Sequence, residues 1–191
     1  MFDTVLVAGL GLMGGSMAKT IKARTLSRVL GWNRTRATAE QALADGSIDA
    51  IATDALFREV DLVIIGLYPQ ATVDWLLENM PKMKKGCVIV DMVGVKQFMV
   101  DHLEQAALDA GVHYVGGHPM AGREFSGLDY ALPTLFDGAS MIFVPTRSSS
   151  ERILSQLEAY FMSLGFGQTV RCTAEQHDHM IAFTSQLAHV V

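Results

Sequence analysis

Thr4-Val5-Leu6-Val7-Ala8-Gly9-Leu10-Gly11-Leu12-Met13-Gly14-Gly15-Ser16 is the stretch that decides the fold. A short apolar run reads as a buried strand, and it breaks into glycines spaced G-x-G-x-x-G before a segment of helical periodicity, 13–24, begins. Each glycine has a mechanical duty in a dinucleotide-binding turn. Gly9 makes the tight bend, Gly11 admits a pyrophosphate close to the backbone, and Gly14 lets the helix lie against the strand. Unpaired amides at the helix start, around Leu12 and Met13, favour an anion there.

The pattern continues outward from this unit. Further short apolar runs at 29–32, 62–67, 88–91 and 141–144 read as parallel strands, and helical spacing fills 35–45, 69–80 and 95–110 between them. Strand and helix in alternation predict a Rossmann-type, doubly wound α/β sheet, mostly parallel, with helices on both faces. Pro69 suits a first helical turn, Gly111 a helix stop, and Ser150 an N-cap. Thr173 followed by Gln176 resembles a capping box. Residues 1–172 are therefore expected to form the nucleotide-binding domain, and the helical pattern over 173–191 either docks on the sheet or opens a further domain.

Composition narrows the function. The chain has 191 residues, half of them hydrophobic, with 15 Lys and Arg against 20 Asp and Glu, for a net charge of −5. Such a chain has ample material for a packed core. With no basic run, nucleic acid and acidic membrane surfaces are disfavoured as partners. The longest apolar runs are too short to span a bilayer, and the first strand leaves no room for a secretory signal, so the expected location is the cytoplasm. Cys87 and Cys172 lack metal or redox spacing and are expected to be ordinary core thiols, with no metal site.

Cofactor choice turns on the end of the second strand, where a carboxylate would grip the ribose hydroxyls of NAD. The chain has Asn33-Arg34-Thr35-Arg36 there. Nothing repels a 2′-phosphate, so Asn33, Arg34 and Thr35 are expected to contact it, and NADP is favoured over NAD.

A second constellation is Gly116-Gly117-His118-Pro119-Met120-Ala121-Gly122-Arg123-Glu124-Phe125-Ser126-Gly127. Its glycines and proline predict a loop near the carboxyl ends of the strands, displaying one histidine where ligands bind in this architecture. Together with GLGLMGGS at 9–16, VDMVGVK at 90–96 and the HDHMIAFTSQLAHVV tail at 177–191, this segment resembles the prephenate and arogenate dehydrogenase family of tyrosine biosynthesis. The resemblance implies oxidative decarboxylation of a small cyclic acid, with hydride passing to NADP or NAD, and a homodimeric full-length form. His118 matches the family's catalytic histidine, a base of suitable pKa for the hydroxyl proton, and Glu124 matches its pocket carboxylate.

The resemblance also implies substrate contact by His189 and Gln186 in the tail, where helical spacing would align Asp178, Ala182, Ser185 and His189 in one polar stripe. His177 and Asp178 match a pair expected to make a structural hydrogen bond. Lys96 and Arg123 are the cations near the motifs that could hold the substrate carboxylate. His102, His113 and His179 read as surface residues. The family's serine just ahead of V-K is Gly94 here, and its SHLPH is Ser185-Gln186-Leu187-Ala188-His189. Two other readings fit the glycine loop: a β-hydroxyacid dehydrogenase, whose signature lacks HPMAG, and a non-catalytic dinucleotide-binding module.

Overall fold

Val5 and Val7 turn to one face of the first strand, β1 (Thr4–Ala8), while Leu6 and Ala8 turn to the other, and both sets are fully buried. A strand apolar on both sides needs cover on both sides, and successive crossovers supply it. The computed structural model describes residues 2–187, with side chains described to Phe183. In chain order the elements after β1 are α1 (Leu12–Arg24), β2 (Arg28–Trp32), α2 (Arg36–Ala44), β3 (Ala50–Ile51), β4 (Leu62–Ile65), α3 (Pro69–Asn79) and β5 (Val88–Asp91). They continue with α4 (Gln97–Ala110), β6 (His113–Pro119), β7 (Ser140–Val144), α5 (Glu151–Ser163), β8 (Gln168–Arg171) and α6 (Ala174–Leu187).

The strands form one sheet in the order β3-β2-β1-β4-β5-β6-β7-β8, parallel throughout except where β6 meets β7. The Rossmann-type, doubly wound expectation holds. Met17 and Ile21 of α1, Ala39 and Ala42 of α2, and Leu157 and Phe161 of α5 pack on the Val5/Val7 face. Val73 and Leu76 of α3 with Met99 and Leu103 of α4 pack on the Leu6/Ala8 face. The order reverses between β1 and β4, so the loops leaving their carboxyl ends diverge and open a crevice.

The caps behave as read. Pro69 starts α3, Gly111 ends α4 at φ +68°, and Ser150 Oγ accepts the Ile153 amide at the start of α5. At α6, the Gln176 side chain accepts the Thr173 amide at 3.0 Å and Thr173 Oγ1 accepts the Gln176 amide at 3.1 Å, a reciprocal box.

The segment around His118 corrects the loop expectation. Gly116, Gly117, His118 and Pro119 are the end of β6 and pair antiparallel with β7. The glycines serve close approach: a Cβ on Gly116 would press within 2.9 Å of the Lys96 stem, and one on Gly117 would collide with the Asp91 carbonyl. The irregular loop begins only after Pro119. A second correction concerns the thiols. Cys87 is buried, and burial pushes it up to about 12, but Cys172 is only partly buried.

At the far margin of the sheet, the Arg171 guanidinium of β8 spans Glu151 at 2.8 Å and Glu158 at 2.6 and 2.7 Å, both on α5. Among the described residues no helix is long and apolar enough to cross a membrane, and no group of three metal-ligating side chains is gathered.

Candidate active site

The glycine turn fits an extended anion. Gly9 sits at φ +90°, and a Cβ there would lie 2.6 Å from the Gly66 carbonyl. One on Gly14 would collide with the Gly9 carbonyl, which is how closely α1 lies on the turn. Gly11 differs: a Cβ there would meet nothing within 4 Å, because this N-cap of α1 faces open space. No side chain caps α1 and its first turn holds no acid, so its leading amides point into a cleft of about 350 Å³. Gly11, Leu12 and Met13 line this cleft on one side, Gly66 and Tyr68 on another, and Phe125 on a third.

At the end of β2 the expectation is partly corrected. Asn33 Oδ1 accepts the Leu10 amide at 3.0 Å and its Nδ2 donates to the Thr35 carbonyl at 3.1 Å, so the carboxamide braces the glycine turn instead of waiting for a ligand. Arg34 and Thr35 are exposed. Arg36 pairs with Glu40 at 3.0 Å, whereas Arg34 has no hydrogen bond or ion pair among the described residues.

His118 sits at the carboxyl end of β6, partly buried, with Nδ1 2.8 Å from Nε2 of His177. His177 is fully buried, and its Nδ1 lies 2.7 Å from Asp178 Oδ1. That carboxylate reaches on to α4, accepting the Lys96 amide at 2.7 Å and the Gln97 amide at 2.9 Å. Burial alone would raise the Asp178 pKa, but the Gln97 amide, His177 and the Lys96 amide hold it below the usual range. On the other side of the ring is Gly94, whose Cβ, were there one, would stand 3.7 Å from Cε1 and 3.8 Å from Nε2. Burial first, then the neighbouring His177 and Lys96, lower the His118 pKa to about 4, so its imidazole is neutral at ordinary pH.

Lys96 is the clearest correction. Expected to reach substrate, it is fully buried, its ammonium paired with the equally buried Asp91. Tyr114 donates its hydroxyl to the other Asp91 oxygen at 2.7 Å, and the Val93 amide donates to the first at 2.8 Å. This closed group pins the turn between β5 and α4, and so the backbone of Gly94.

The polar stripe also changes, because Asp178 points at the start of α4. The Gln186 side chain and His189 lie outside the described residues. Arg123 is exposed with its guanidinium 5.4 Å above the Phe125 ring, and Phe125 stacks on Tyr130 at 4.8 Å. Glu124 on the same loop is exposed and makes no hydrogen bond or ion pair among the described residues. His113, read as a surface residue, is partly buried against the Ser148 carbonyl at 2.5 Å.

The His118–His177 contact is what sequence reasoning missed. The available signal was a histidine one turn into a capped helix, at a position that has to face the body of the fold.

Against this geometry, the family model for the nucleotide-binding domain of prephenate dehydrogenase matches residues 17–168. The chain belongs to the prephenate dehydrogenase family. It is 33% identical to the prephenate dehydrogenase of Bacillus subtilis strain 168 and 28% identical to the cyclohexadienyl dehydrogenase of Zymomonas mobilis, each over all of this chain. The crystal structure of Synechocystis arogenate dehydrogenase superposes with a TM-score of 0.87 at 26% identity over 96% of this chain. The chain spans 52% of the first of these proteins, 65% of the second and 64% of the third. Within the prephenate dehydrogenase match fall Gly94, Lys96 and His118, while the glycine turn precedes it and His177 and Asp178 follow it.

Proposed function

We propose that this chain carries the nucleotide-binding and proton-accepting half of an NAD(P)-dependent prephenate or arogenate dehydrogenase. The observation that carries the reading is His118, a partly buried neutral imidazole at the carboxyl end of a strand, its Nε2 edge facing Gly94 in a fold whose glycine turn suits a dinucleotide. Bound NADP or NAD would supply the hydride acceptor.

The residues of the chain do the rest. His118 takes the proton of the substrate hydroxyl as hydride leaves the carbon that bears it. The ring carboxylate then departs as carbon dioxide and leaves its electron pair in the ring, and His118 returns the proton to the phenolate so formed. Aromatisation makes the sequence favourable. The amides of Leu12 and Met13 beside Gly11 hold the pyrophosphate, with Gly9 and Gly14 shaping the turn. Arg34, with Thr35, faces the ribose and favours a 2′-phosphate, hence NADP. Glu124 orders the mouth of the pocket, and Arg123, Gln186 and His189 contact substrate. The full-length form is a cytoplasmic homodimer in this reading.

The test is reduced-cofactor formation with prephenate, arogenate and a panel of 3-hydroxyacids, for the chain and for His118→Asn. The reading expects turnover of one of the first two, and its loss in the variant. Activity confined to the hydroxyacids, or a His118→Asn variant as fast as its parent, would overturn it.

A further inference from the structure

Hydrogen bonds along Asp178, His177 and His118 can be satisfied in only one direction when both rings are neutral. An ionised carboxylate only accepts, and Asp178 accepts three times: from the Lys96 amide, the Gln97 amide and His177 Nδ1. His177 therefore carries its proton on Nδ1 and presents a lone pair at Nε2. That lone pair lies 2.8 Å from His118 Nδ1, which must then be the donor. The remaining nitrogen of His118, Nε2, is left unprotonated on the side facing Gly94.

We infer that His177 and Asp178 are positioning residues that hold His118 as its Nδ1–H tautomer, with the basic Nε2 on the ring edge that faces Gly94. For its kinetic consequence the inference rests on the function proposed above; its geometry stands without it. Three elements are tied together by the arrangement. His118 ends β6, His177 and Asp178 open α6, and the amides that fix the carboxylate begin α4. Among the described residues His177, buried completely, has no other hydrogen-bond partner for its ring. The charged groups around His118 are Asp178 from α6 and the Lys96–Asp91 pair from the turn before α4 and the end of β5. When Nε2 takes a proton, the imidazolium keeps its Nδ1–H on His177, with the Asp178 carboxylate one ring further on. A base held weak by burial gains an anion behind it at the moment it becomes charged.

The experiment is a two-bond proton–nitrogen correlation spectrum of the chain labelled with 15N-histidine at about pH 7, with the His118 signals assigned by their loss in His118→Asn. The wild type should show His118 protonated at Nδ1 and bare at Nε2. His177→Phe, which keeps a ring in the buried site, and Asp178→Ala should each release the constraint, so that His118 signals move toward the averaged values of a freely exchanging imidazole. Turnover should fall about tenfold or more, within the roughly 100- to 10,000-fold that a general base supplies, with KM for the cofactor unchanged. His177→Gln, whose amide oxygen can accept from Nδ1, should recover the wild-type tautomer and part of the rate lost in His177→Phe. A wild-type spectrum with the proton on Nε2, or variants that leave both tautomer and rate untouched, would overturn the inference. A wild type with the expected tautomer but no turnover of prephenate or arogenate would count against the proposed function and uphold the relay.

Discussion

The side chain at position 118 sets the pH behaviour expected of the site. With a pKa lowered to about 4 by burial, His177 and Lys96, the imidazole remains a base well below the pH at which an ordinary histidine would be lost. The acid limb of kcat/KM should therefore fall nearer pH 4 than pH 6.5, and a limb at 6.5 or above would contradict the geometry. The same depression links to stability. An unfolded chain takes up this proton near 6.5 and the native one near 4, so the contribution is complete above 6.5 and is lost as pH falls through about 4. Beneath the ring, Lys96→Met would leave the Asp91 carboxylate buried and unpaired, at a cost of about 3–5 kcal/mol readable by urea unfolding. A loss under 1 kcal/mol would mean the pair is not closed as described. His118 stood out in the sequence because the flanking glycines and Pro119 restrict the backbone that carries it, within a block that resembles a known family. The burial of Lys96 was not, since a lysine beside a motif looks like a ligand until its partners on other strands, Asp91 and Tyr114, are in place.

At the scale of elements, the strand-turn-helix unit at the start of the chain makes two opposite predictions from one substitution. Gly14→Ala places a methyl group against the Gly9 carbonyl and should destabilise the fold, seen as a lower melting temperature without ligand. Gly11→Ala meets no atom within 4 Å, so it should melt as the parent does yet bind NADPH weakly in a fluorescence titration, the methyl occupying the space of the pyrophosphate. Equal effects on both properties at both positions would remove the assignment of that space. Strands β1, β2, β4, β5 and β7 were visible as short apolar runs because both their faces are covered. Strand β3 has two residues, too few to show a pattern. Strand β6 went unread altogether: Gly116 and Gly117 depress strand propensity but are required where Lys96 and the Asp91 carbonyl crowd the sheet. Strand β8 is mostly exposed and polar, so it carries no buried run at all.

For the molecule as a whole, cofactor preference should appear as differential stabilisation. NADP at 100 times its Kd should add about 2.7 kcal/mol, a rise of roughly 5–10 °C for a chain of this size, with a smaller rise for NAD at the same concentration. Arg34→Ala should bring the two together; equal shifts in the parent chain would favour NAD as readily as NADP. The link through His177 belongs to this scale too, because it joins β6, α6 and α4: His177 and Asp178 stand out as a pair in the sequence, but only the fold brings His118 to them. The two margins of the sheet share a different property. A two-residue strand at one side and a four-residue strand at the other leave little bare backbone for a foreign strand to copy. Concentrated solutions of this protein should accordingly resist fibril growth by lateral recruitment.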